Sequence, residues 1–99
     1  MSLEKYAVIT HKTAPMFVKD GGEIVYELAL DDKGEEIFLI FGIKPDGERI
    51  KCVVTNTGTH KSLKYLSPLL AFHRSCYPDG QPITIPTVMP NQASENLVA

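Results

Sequence analysis

The hydrophobic and polar positions of residues 23–54 alternate with a period of two through three consecutive runs. This period is typical of β-strands, whose successive side chains point to opposite faces of a sheet. The runs are separated by Asp31-Asp32-Lys33-Gly34 and by Lys44-Pro45-Asp46-Gly47. Both tetrapeptides have the composition of a type I turn closed by a glycine with positive φ. The pattern therefore predicts three antiparallel strands joined by two tight hairpins.

The loop length fixes a register, because a three-residue loop pairs the residue before it with the residue after it. We therefore expect these pairs: Asp31 with Glu35, Lys44 with Glu48, Leu28 with Phe38, Tyr26 with Ile40, Ile40 with Cys52, and Phe38 with Val54. Both loops keep the alternation in phase, so all even-numbered side chains share one face. That face is apolar throughout: Ile24, Tyr26, Leu28, Leu30, Phe38, Ile40, Ile50, Cys52 and Val54.

The odd-numbered face carries an apolar stripe between charged flanks. The stripe lies on the middle strand and consists of Ile37, Leu39, Phe41 and Ile43. Because this strand is apolar on both sides, we expect it to be central and covered twice. A single helix covers only one face, which leaves the odd face to the C-terminal segment, to a partner chain or to water. We predict a homodimer that forms through these four residues.

One segment has helical character, at about residues 67–76. Ser67 suits an N-cap and Pro68 suits the first helical position. The apolar stripe that follows at helical spacing is Leu69, Phe72, His73 and Cys76. Upstream, residues 5–10 and 15–19 read as two shorter strands. The predicted fold is α+β, with an antiparallel four- to five-stranded meander sheet packed on one short helix.

The C-terminal region is predicted to be extended. Residues 78–90 contain four prolines, which suit a sheet edge or polyproline geometry. We predict a single domain over residues 1–90 and a C-terminal tail over residues 91–99.

Composition narrows the class of protein. The chain has 99 residues, 43% apolar and 22% charged, which is an ordinary balance for a soluble domain. No apolar run approaches the roughly 18 residues of a membrane span, and no basic segment followed by an apolar stretch signals secretion. Two cysteines are too few for a disulfide framework. We expect a cytoplasmic protein with no membrane partner.

Residues 55–68, TNTGTHKSLKYLSP, have the order of a phosphate-binding loop, with a glycine-containing turn before Lys-Ser. The motif fails, because His60 stands where a glycine must precede Lys61-Ser62. Two interpretations remain. One is a looser anion site around Gly58, and the other is a connection whose polar side chains satisfy their own backbone.

His73 and Cys76 form an H-x-x-C pair, with Cys52 as a third candidate ligand. A zinc site needs three or four ligands, usually in two spaced pairs, and no second pair is present. We therefore interpret His73 as a residue at the margin of the core and expect no metal and no cofactor. Catalytic motifs are also missing, so the predicted function is that of a small non-enzymatic binding protein.

The charges suggest an alternative partner. Residues 1–43 hold four lysines and eight acids, whereas residues 44–74 hold six Lys/Arg and two acids. A basic segment can attract an anionic ligand or single-stranded nucleic acid. The candidate contacts are Lys44, Arg49, Lys51, Lys61, Lys64 and Arg74, with Tyr65 or Phe41 as a stacking platform. The order of several antiparallel strands followed by a helix also resembles that of the small dimeric single-stranded DNA-binding coactivators.

Overall fold

The computed structural model describes residues 6–87, which form an α+β fold around one mixed sheet. The elements in chain order are β1 (Ile9–Thr10), α1 (Ala14–Lys19), β2 (Glu23–Leu30), β3 (Glu36–Ile43), β4 (Arg49–Val53), β5 (Ser62–Leu63) and α2 (Leu66–Cys76). The strand order is β1-β4-β3-β2, and β5 pairs with β3. The predicted α+β class and the size of the sheet are confirmed.

The prediction of a purely antiparallel sheet is wrong, because β1 runs parallel to β4 with Ile9 beside Cys52. Parallel pairing requires a crossover connection. Helix α1 provides one, since it carries the chain from β1 at one edge of the sheet to β2 at the other. The two hairpins after β2 then bring β4 back in the direction of β1.

Both predicted hairpins are present. The Asp31 N–H donates to the Glu35 carbonyl at 2.9 Å, and the Lys44 N–H donates to the Glu48 carbonyl at 2.8 Å. Gly34 and Gly47 close the two turns with φ values of 82° and 94°, which only glycine adopts without strain. The two registers follow from these turns.

The predicted β2–β3 pairs are confirmed, with Leu28 opposite Phe38 and Tyr26 opposite Ile40. The predicted pair of Phe38 and Val54 is wrong, because Phe38 pairs with Leu63 of β5. The described ladder of β3 and β4 ends at Phe41 and Lys51, so the predicted pair of Ile40 and Cys52 lies one step beyond it. The chain turns away after β4 and returns as β5, which then occupies the rest of this side of β3.

Helix α1 corrects the prediction of a strand at residues 15–19. Pro15 lies in the first turn of the helix, where its missing N–H has no consequence. Thr10 and Thr13 exchange backbone-to-hydroxyl hydrogen bonds of 2.8 and 3.2 Å just before the helix. The fully buried Phe17 then packs over Gly42 of β3. A four-residue apolar run does not distinguish a strand from a helical turn.

The core lies on the even-numbered face, as predicted. Its buried residues on the sheet include Ile24, Tyr26, Leu28, Ile40, Ile50 and Cys52, whereas Leu30 and Val54 are exposed. Against them pack the α2 residues Leu69, Phe72, His73 and Cys76, all buried. The predicted helical stripe is thus confirmed, although α2 begins at Leu66 with Tyr65 as N-cap and has no side-chain cap. Both helices lie on this face of the sheet.

The described part of the C-terminal region, residues 81–87, has no regular secondary structure. Ile83 and Ile85 pack against the core from this segment. Residues 88–90 and the predicted tail at 91–99 lie outside the described residues. Among residues 6–87, neither helix has the length and apolarity to cross a membrane.

Candidate functional site

The odd-numbered face of the sheet, here called the open face, has no helix packed on it within residues 6–87. Its strand residues are Val25, Glu27, Ala29, Ile37, Leu39, Phe41, Ile43, Arg49, Lys51 and Val53. The four predicted interface residues lie there in one row along β3, and each is partly exposed to solvent. The structure therefore brings Ile37, Leu39, Phe41 and Ile43 together on one accessible surface.

Phe41 is already enclosed by two neighbours. The Arg49 guanidinium lies over its ring with Cζ 3.8 Å from the centroid, a cation–π contact. His60 meets the same ring edge-on, with centroids 4.6 Å apart and planes at 85°. The His60 ring is held by Nε2, which donates to the Ile40 carbonyl at 2.9 Å. Phe41 is therefore a poor platform for a nucleobase, which needs a free aromatic face.

Ion pairs flank the apolar stripe. Arg49 of β4 pairs with Glu27 of β2 across the central strand. At the other end of the stripe, Lys64 pairs with Glu35. The hydrogen bond and the charge of Glu35 raise the pKa of Lys64. The open face thus has an apolar centre with both signs of charge at its margin.

The six candidate cations are distributed over several parts of the fold. Lys44 is buried and pairs with Glu48 at 3.1 Å, and Arg49 and Lys64 have the partners given above. The other three, Lys51, Lys61 and Arg74, have no ion pair within the described residues. Lys51 is exposed on the open face, the alternation along β5 puts Lys61 on the helical side, and Arg74 lies on the exposed side of α2. Binding of an anionic partner by these residues stays a prediction.

The TNTGT connection forms its own hydrogen bonds. The Val54 N–H donates to the Thr59 carbonyl at 2.8 Å, and the Gly58 N–H donates to the Val54 carbonyl at 2.7 Å. The hydroxyls of Thr57 and Thr59 are 2.7 Å apart. These are the contacts expected of a connection that satisfies its own polar groups.

His73 is buried and uses both ring nitrogens. Nε2 lies 3.1 Å from the carbonyl oxygens of Gln81 and Pro82 and therefore carries the proton that it donates to them. Nδ1 then accepts a hydrogen bond from the Tyr26 hydroxyl at 2.7 Å. His73 thus ties the 81–87 segment to the sheet. Sequence reasoning missed this role, although Tyr26 is the one hydroxyl-bearing residue of the even face.

The two thiols are buried in the core. Burial raises the pKa of Cys52 and of Cys76 to about 11 each, so both are protonated at neutral pH and poorly nucleophilic. No group of three His, Cys, Asp or Glu side chains within residues 6–87 is placed to hold a metal ion.

Comparison of the chain with protein-family models, with curated proteins and with solved structures gives no match.

Proposed function

We propose that this protein is a small non-enzymatic binding protein whose open face docks a second copy of the chain. The observation that supports this proposal is the character of β3, which is apolar on both sides while both helices pack on one side only. A strand with this pattern belongs in the middle of three layers. The second copy supplies the third layer.

The charge pattern favours a second copy over a partner of one charge sign. The open face carries Glu27 and Arg49 near one end of the stripe and Lys64 with Glu35 near the other. Under two-fold symmetry the same patch meets itself, so each cation must find an anion on an identical surface. A margin with both signs satisfies this condition. The exposed Lys51, which has no ion pair within the described residues, can then approach an acidic residue of the other copy.

The size of the face sets the expected affinity. An eight-residue strand is about 27 Å long and three strands are about 14 Å wide, which gives a footprint on the order of 400 Å². Standard interfaces bury about 800 Å² per partner. We therefore expect a reversible dimer with a dissociation constant in the micromolar range.

The test is the molar mass in solution as a function of concentration, measured by sedimentation or light scattering over roughly 1–200 µM. Leu39→Thr introduces a β-branched side chain that suits a strand, but it removes most of the apolar surface of leucine and places a hydroxyl in the centre of the stripe. Loss of a buried leucine from each copy should weaken the dimer about 10- to 100-fold.

Met16→Thr is the matched control, because Met16 is 51% exposed on α1 at the opposite side of the sheet. It should leave the mass unchanged. Thermal unfolding of both variants separates weakened association from a misfolded monomer. A monomeric wild-type protein at about 100 µM would contradict the proposal.

A further inference from the structure

The outer edge of β2 carries backbone groups that have no strand partner among residues 6–87. β2 is the last strand of the sheet, and its only sheet partner within the described residues is β3. Its odd-numbered residues bond to β3, in phase with the Asp31–Glu35 bond that closes the hairpin. The Ile24 N–H points the other way and donates to the Tyr77 hydroxyl at 3.0 Å. Because these groups alternate along a strand, those of Tyr26, Leu28 and Leu30 also point outward.

Within residues 6–87, the half of this edge from Glu27 to Leu30 has no proline, no bulge and no segment that covers it. Natural edge strands are interrupted by proline, lysine or a bulge, or are covered by another segment. β2 reads EIVYELAL and pairs with β3 over eight consecutive residues without a bulge. The 81–87 segment approaches only the first half of the edge, where a cavity of about 690 Å³ lies between residues 21–26 and the segment. The half from Glu27 to Leu30 does not line that cavity.

We propose that two copies of the chain also associate by antiparallel pairing of their β2 edges, with the two-fold axis at Leu28. Leu28 then pairs with its own counterpart, and Tyr26 pairs with Leu30 of the other copy. These three residue pairs exchange six backbone hydrogen bonds and join the two sheets into one. Leu30, which is 58% exposed, gains a neighbour across the junction.

Charge selects this register. Outward-pointing groups lie on even-numbered residues, so only registers that pair even with even residues form the bonds. A shift by one such step places Glu27 opposite Glu27 or opposite Asp31, and like charges directly opposite are unfavourable. A shift further toward the N-terminus needs the Ile24 N–H, which Tyr77 already occupies. The Leu28-centred register places Glu27 opposite Ala29.

The edge and the open face are separate surfaces, so this contact does not depend on the face-to-face dimer. Two different two-fold contacts in one chain build assemblies larger than a dimer. The two contacts also differ in distance. Strands paired at an edge are about 5 Å apart, whereas sheets packed face to face are about 10 Å apart.

Disulfide crosslinking uses this difference. Glu27→Cys and Ala29→Cys are made as two separate proteins and mixed under mild oxidation. In the proposed register residue 27 lies about 4.5 Å in Cα distance from residue 29 of the other copy, within the ~7 Å limit for a disulfide. The mixture should form a crosslinked dimer on a non-reducing gel. Ala29→Cys alone should not, because it keeps the Glu27 charge that excludes the register with residue 29 opposite residue 29. The wild-type protein is the control, since Cys52 and Cys76 are buried.

Leu30→Pro tests the hydrogen bonds directly. It removes an outward-pointing N–H without breaking the ladder to β3, a position that edge strands tolerate. Added to both cysteine variants, it should reduce the crosslink yield about tenfold or more, because two of the six bonds are lost. Leu30→Thr keeps the N–H and should reduce the yield less.

Three outcomes would overturn the edge contact: no crosslink in the mixture, efficient crosslinking of Ala29→Cys alone, or an unchanged yield with Leu30→Pro. A crosslink retained in Leu39→Thr, the variant in which the face-to-face dimer is weakened, would support the edge contact as a separate surface.

Discussion

Gly42 of β3 is the position where the packing of α1 on the sheet is most directly tested. A methyl group added there would lie 2.7 Å from Cε2 of Phe17 and 3.2 Å from Cδ1 of Ile9. Both side chains are fully buried, so neither has free space to enter. Overpacking of this kind costs about 1–3 kcal/mol, and replacing a strand glycine returns about 0.5–1 kcal/mol. Because a contact of 2.7 Å places the overpacking cost in the upper part of its range, we expect Gly42→Ala to lower the free energy of unfolding by about 1–2 kcal/mol.

Urea denaturation of a double-mutant cycle measures this contact. Phe17→Leu alone opens a cavity and destabilises the protein, but it also makes room for the alanine. The double variant should therefore be more stable than the sum of the single effects by at least about 0.5 kcal/mol.

Gly34→Ala is the control for this cycle, because Gly34 has a φ of 82° and no atom within 4 Å of an added methyl group. Gly34→Ala lowers the free energy of unfolding through backbone strain, and this loss should add to the loss caused by Phe17→Leu. Additivity at Gly42, or a Gly42→Ala protein as stable as wild type, would refute the packing described for α1.

Three further predictions concern buried or turn-forming polar groups. Tyr26→Phe should cost about 1–3 kcal/mol in urea denaturation, because Nδ1 of the buried His73 loses its donor; a change within about 0.5 kcal/mol would contradict the assigned bond. Burial raises the pKa of Cys52 and Cys76 to about 11, so the unfolded chain loses these protons first, and stability should fall as the pH rises from about 9 to 11; a flat profile would argue against their burial. The Asp31 carboxylate accepts hydrogen bonds from the backbone N–H groups of residues 35 and 33, and these bonds lower its pKa. Asp31 therefore stabilises the fold at a pH above the pKa that it has in the unfolded chain, and this stabilisation is lost as the pH falls through its lower pKa in the folded protein. Asp31→Asn should therefore weaken the acid dependence of thermal unfolding, and an unchanged dependence would exclude Asp31 as a source of it.

The hairpins were predictable because their information is local. A proline or aspartate and a glycine at fixed positions determine the turn, and the turn determines the register of about eight residues on each side. The even face and the row from Ile37 to Ile43 follow from that register alone. The apolar stripe of α2 was equally predictable from the sequence, since 11 residues are enough to show a helical period.

The features that sequence reasoning missed depend on contacts between distant segments. α1 has six residues, too few to show a period, and its helical form is supported by the packing of Phe17 on a glycine of β3. β5 has two residues and exists because β4 leaves that side of β3 unpaired. The link from His73 to the 81–87 segment joins a helix to two carbonyl groups, which carry no sequence signal.

The crossover through α1 explains why neither helix of residues 6–87 covers the apolar stripe of the open face. Once β1 is parallel to β4, the connection to β2 must pass over one side of the sheet, and Phe17 identifies that side as the even-numbered face. α2 packs on the same side, so both helices within residues 6–87 lie on the even-numbered face. Among the described residues, the apolar side chains of β3 on the other side are then flanked by the ion pairs Arg49–Glu27 and Lys64–Glu35 and by the ring of His60. Because these groups already enclose Phe41, association through the open face should draw mainly on Ile37 and Leu39, which is why Leu39 is the residue on which the dimer proposal is tested.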